Sequence, residues 1–108
     1  MEEAMADKEP KQRFLKHREN LEQHMDPIAV LNSMTDLFPV GTETYQDIAE
    51  VEGIGKNERS RRLLNAVETQ GITGFQRMIK ALYQSGQRHL AEPIVEGDFP
   101  ELLKGRVL

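Results

Sequence analysis

A chain of 108 residues has room for one small hydrophobic core and not for two. With 38% hydrophobic and 30% charged residues it reads as a compact helical module with a strongly ionised surface, not as a broad β-sandwich. A net charge of -4 argues against a domain devoted to nucleic acid, and the lack of cysteine excludes disulfides, thiolate metal sites and a cysteine nucleophile.

The first residues, MEEAMADKEPK, lack the basic-then-apolar order of a signal peptide. No apolar stretch approaches the roughly 20 residues of a membrane span. The expectation is a soluble cytoplasmic chain with no membrane span, in which residues 1–10 form an N-terminal tail. Helix 1 is predicted over Lys11–His24, with Pro10 where a helix can begin and Phe14, Leu21 and Met25 at helical spacing. Arg18 falls in the same phase, which would carry a guanidinium into the core. Either Arg18 snorkels or the helix is kinked.

Asp26-Pro27 is a start signal, an N-cap carboxylate followed by proline at the first helical position. Ile28, Leu31, Met34 and Phe38 fall on one stripe, which Pro39 and Gly41 close. A short amphipathic helix follows over Thr42–Glu52, presenting Tyr45, Ile48, Ala49 and Glu52, with Thr44 and Asp47 spaced as an acidic capping box. Asn57 is the expected cap of helix 4, whose stripe is Ser60, Leu63, Leu64 and Val67, and Gly71 ends it as a left-handed cap. Thr73 and Gln76 are the capping pair of helix 5, which buries Phe75, Met78, Ile79 and Leu82 up to Gly86. Leu90, Ala91 and Ile94 mark a last short helix, cut by Pro93 or frayed just past it. Residues 96–108 read as a C-terminal tail or linker to a further domain.

The stretch VEGIGKNERSRRLLNAV, residues 51–67, admits three readings. A phosphate-binding P-loop needs two glycines flanking four residues, then Lys-Ser/Thr after a strand; Gly53-Ile54-Gly55-Lys56-Asn57 meets neither condition. A helix-hairpin-helix module would bind DNA phosphate through the amides of its Gly-hydrophobic-Gly turn, and GIGK resembles that hairpin. In that family a small residue stands six positions after the first glycine and an aliphatic one three further. Here those positions are Arg59 and Arg62, one step out of register with Ser60 and Leu63-Leu64. The third reading is an interhelical turn, with Arg59, Arg61 and Arg62 spread over the flanks and outside of helix 4.

Charge is segregated along the chain. Asp26, Asp36, Glu43, Asp47, Glu50 and Glu52 are six acids in a span without lysine or arginine. Lys8 to Arg18 holds five bases and one acid, and Lys56 to Arg62 holds four bases and one acid. Helices 2 and 3 are therefore acidic and helices 1 and 4 basic. Opposite patches on one small domain are what a head-to-tail heterologous interface requires.

The segments RFLKHRENLEQHM, DPIAVLNSM, RRLLNAVETQG and GFQRMIKALYQSGQRHLAEPI resemble a caspase recruitment domain (CARD) of the death-fold superfamily. The resemblance covers residues 11–95. It implies an all-α, six-helix antiparallel Greek-key bundle whose first helix is kinked, and a basic surface on helices 1 and 4 that meets an acidic surface on helices 2 and 3. By position Arg18 and Arg61 match basic contact residues of initiator caspases, with Lys56 beside them. The basic face is read as Arg13, Lys16, Arg18, Lys56, Arg59, Arg61 and Arg62. Asn32 stands where the apoptosome scaffold carries an aspartate, so the acidic face shifts to Asp36, Glu43, Asp47 and Glu50. The Gly53-Ile54-Gly55 insertion and the Pro39–Thr42 turn depart from the family pattern.

The expected function is thus non-enzymatic. The chain recruits another CARD-containing protein, whether initiator caspase, adaptor or sensor, or assembles with itself, in apoptotic, inflammatory or innate immune signalling. The alternatives are the DNA-binding hairpin and a helical cap within a larger protein. Neither cofactor nor metal is expected: His17 and His24 stand seven apart on helix 1, too far for convergent ligands, and His89 is isolated.

Overall fold

The computed structural model describes residues 14–97, in which every regular element is helical. Helix α1 runs over 14–24, α2 over Pro27–Asn32, and α3 over Glu43–Tyr45 before widening into a π turn at Gln46–Glu50. Helices α4, Lys56–Thr69, α5, Gly71–Gln84, and α6, Arg88–Gly97, complete the bundle. Arg13, the start of helix 1, the whole predicted N-terminal tail and most of the C-terminal one lie outside the described residues.

The apolar stripes converge on one core. Phe14 and Leu21 of α1 and Met25 just past its end are buried with Leu63, Leu64 and Val67 of α4 and Phe75, Met78, Ile79 and Leu82 of α5. Phe14 stacks on Phe75 with ring centroids 4.4 Å apart. Arg18 shares the inward phase, yet α1 is unbroken over 14–24. Ion pairs described below accommodate its guanidinium at the edge of the core.

Asp26 caps α2 as expected, accepting a hydrogen bond from the Ala29 amide at 3.3 Å with Pro27 in the first turn. The helix stops at Asn32 and not near Phe38. The Ser33 carbonyl, which a longer helix would offer to the Leu37 amide, accepts instead from Arg77 Nη2 at 2.8 Å, and the Leu37 amide turns to Met34. One tight turn, closed by the Phe38 amide on the Met34 carbonyl, keeps Met34 and Phe38 buried. Leu31, Met34 and Phe38 of the expected stripe are buried, whereas Ile28 is only half-buried and Val30, outside that stripe, takes a place in the core.

Three predicted caps move. Thr42, not Thr44, caps α3, its hydroxyl oxygen accepting from the Tyr45 amide while its hydroxyl donates to the Pro39 carbonyl. Gly55 precedes α4 with no side-chain cap, leaving Asn57 inside the first turn. Helix α5 starts at Gly71, whose φ of +68° lets α4 and α5 follow without a linker, so Thr73 is already helical. Three residues after Gly71, a β-carbon on Gly74 would collide with the Val67 carbonyl, and α4 and α5 cross closely there. Pro93 lies inside α6 without cutting it, because one lost amide bond is outweighed by burial of Leu90, Ala91 and Ile94. Gln87, buried between α5 and α6, accepts from the Asp26 amide at 2.7 Å and donates to the Asp26 carbonyl, fastening the α1–α2 junction across the bundle.

Candidate interaction surface

Helix α3 brings three of the expected acids together. Glu43, Asp47 and Glu50 are exposed and, with Gln46 and Val51, line a shallow depression of about 360 Å³. A larger cleft of about 510 Å³ opens between α3 and α4, bordered by Phe38, Thr44, Asp47, Arg62 and Gln70.

Asp36 is separate from these acids. Its carboxylate accepts from Arg77 Nε at 2.8 Å, and that hydrogen bond, with the attraction of the same guanidinium, holds its pKa below the ordinary 3.8. A depressed carboxylate contributes stability that is present above the unfolded-state pKa and lost as pH falls through the folded value. The melting-temperature difference between the parent and Asp36→Asn is therefore expected to be a few °C at most at neutral pH, given the exposure of this pair. It should shrink towards zero below about pH 4. An equal difference at both pH values in calorimetry would contradict this assignment.

The predicted basic face divides into two groups. Lys16 on α1 and Lys56 and Arg61 on α4 are exposed, Arg61 reaching only Glu58 at 2.8 Å. Arg18, Arg59 and Arg62 turn inward. Arg18 pairs with Glu22 at 3.0 Å and Glu68 at 2.9 Å, and it also donates to the Asn65 side chain and the Arg61 carbonyl. It rivets α1 to α4. Arg62 pairs with Glu58 on its own helix and with the carboxylate and carbonyl of Asp47 on α3. Arg59 donates only to backbone, to the carbonyls of Ile48, Ala49 and Val51.

Asn32 accepts from the Tyr45 hydroxyl at 2.6 Å, joining α2 to α3. In the GIG turn, Gly53 has a φ of +85° that a side chain would strain, and Glu52 and Glu58 stand on either side of it. Among the described residues no group of three or more histidine, aspartate or glutamate side chains is placed to hold a metal ion, and no helix is long and apolar enough to cross a membrane. His24 is exposed and His17 half-buried.

Sequence reasoning contained the signal for Arg18, whose phase matched Phe14 and Leu21, but none for Arg59, whose partners are carbonyls on another helix. No protein-family model, curated protein or solved structure matches the chain.

Proposed function

We propose that this chain is a homotypic interaction domain of the CARD type. It recruits a partner CARD, or a second copy of itself, through an acidic surface on α3 and a basic surface on α1 and α4, in cytoplasmic apoptotic, inflammatory or innate immune signalling. The observation that carries this reading is the division of exposed charge. Glu43, Asp47 and Glu50 crowd one depression, while Lys16, Lys56 and Arg61 are exposed on the two helices that Arg18 rivets together. Such a pair of unlike surfaces joins copies head to tail and propagates when the rotation does not close. Asp36, paired with Arg77, and Asp47, paired with Arg62, have smaller parts in the acidic surface than Glu43 and Glu50.

The helix-hairpin-helix alternative has less support. Arg59 and Arg62 are bonded to protein acceptors, and the turn's remaining neighbours include Glu50, Glu52 and Glu58, which repel phosphate.

Because exposed charge pairs are screened by salt, self-association or capture by a panel of CARD proteins should weaken roughly tenfold or more between about 50 and 500 mM salt. Light scattering unchanged over that range would count against the proposal. Duplex DNA binding near physiological salt, abolished by Gly55→Ala, would transfer the assignment to the hairpin.

A further inference from the structure

A helix that ends leaves its last carbonyls without amide partners. At the end of the π turn the chain departs in extended conformation at Val51, so no following turn returns to cover them. Arg59, from the first turns of α4, takes their place. Its Nη1 donates to the Ile48 carbonyl at 2.8 Å and the Ala49 carbonyl at 3.0 Å, and its Nη2 to the Val51 carbonyl at 2.8 Å. A cation is also favoured at the negative end of a helix dipole. One side chain thus closes the loop that contains Gly53-Ile54-Gly55, whose own residues form no such cap.

Arg62, one turn further along α4, holds the other end of the same π turn through the Asp47 carbonyl at 3.0 Å and carboxylate at 3.1 Å. The acids Asp47 and Glu50 belong to the segment gripped between these two arginines, and Glu43 precedes it. The direction in which α3 presents its carboxylates is therefore set from α4.

We infer that Arg59 is a positioning residue for the acidic surface: its guanidinium, by completing the end of the π turn, holds α3 in the orientation that a partner's basic surface meets. The functional half of this inference rests on the proposed CARD-type pairing; the structural half does not. Arg59 differs in kind from Lys56 and Arg61, which stand on the same helix but face solvent. A fork of N–H donors is required, and a lysine ammonium cannot reproduce it.

Amide hydrogen exchange on the 108-residue chain tests the structural half. Arg59→Ala should accelerate exchange of the amides over residues 48–52 roughly tenfold, while those of Met78–Leu82 in α5 keep their parent rates. Arg59→Lys should show the same pattern with smaller amplitude, and it carries the test if the alanine variant does not fold. Arg61→Ala, which removes only a surface contact with Glu58, should leave α3 exchange unchanged. Parent-like rates over residues 48–52 in both Arg59 variants would overturn the inference. So would equal acceleration of α3 and α5, the sign of a general loss of stability.

Pairing tests the functional half. Arg59→Ala retains Lys56 and Arg61, so it should still bind a copy whose α4 is charge-reversed but whose α3 is intact. It should fail to bind a copy with Glu43→Lys and Glu50→Lys, which needs its partner's α3. The opposite pattern would make Arg59 a contact residue of the basic surface and overturn the positioning role. If the parent chain pairs with nothing at low salt, the proposed function fails while the exchange result still decides what Arg59 does.

Discussion

Arg18→Glu is expected to destabilise the fold by about 3 kcal/mol, an effect far beyond that of a surface charge change. Arg18 retains only 16% of its side-chain exposure and stands between Glu22 and Glu68, with Asn65 and the Arg61 carbonyl as further acceptors. Reversal removes those bonds and places a third carboxylate between two others in a half-buried seam, where screening by water is reduced. For a domain of this size the melting temperature should fall by on the order of 10–20 °C, read by circular dichroism. A melting temperature within about 2 °C of the parent would mean that the rivet between α1 and α4 contributes little. The resemblance groups Arg18 with Arg61 as basic contact residues, with charge reversal at either expected to abolish partner binding at little cost to stability. Their surroundings separate them: a binding loss in Arg18→Glu would report on the fold, and one in Arg61→Glu on the surface.

How much of this was legible in the sequence follows from the range over which each feature is determined. The stripes Leu63, Leu64, Val67 and Phe75, Met78, Ile79, Leu82 obey helical periodicity, and all are buried. Asp26-Pro27 and Gly71 act through their immediate neighbours and stand where the local rules place them. Features set by distant partners were not legible. The early end of α2 depends on Arg77, forty-four residues from Ser33, and the anchoring of Asp26 depends on Gln87, sixty-one residues away. The π turn leaves no periodic trace, because five residues are too few to distinguish its wider winding from an α-helix.

The candidate surface divides along the same line. Composition makes the span 26–52 acidic and the segments 8–18 and 56–62 basic, but a count of charges has no direction. Arg59, Arg61 and Arg62 are neighbours in sequence, yet one grips carbonyls of α3, one faces solvent and one spans to Asp47. Only the fold separates charges that hold the domain together from charges it can offer to a partner.

That separation yields the second large effect. Reversing the exposed acids, as Glu43→Lys with Glu50→Lys, and reversing the exposed bases, as Lys56→Glu with Arg61→Glu, should each leave folding nearly intact. Substitutions at exposed positions usually cost within about 0.5 kcal/mol each. Each double variant should nonetheless lose self-association by roughly tenfold or more, since like charges then face one another across the contact. The acidic-face variant keeps an intact α4 surface and the basic-face variant an intact α3 surface, so the two are complementary although each alone is inert.

Sedimentation velocity on the two double variants, separately and in equimolar mixture at low salt, is the most direct test of a domain that pairs α3 of one copy with α1 and α4 of another. The account predicts monomers in each separate sample and a complex containing both variants in the mixture. Association of either variant alone to the parent's extent, or a mixture that stays monomeric while the parent assembles, would contradict it.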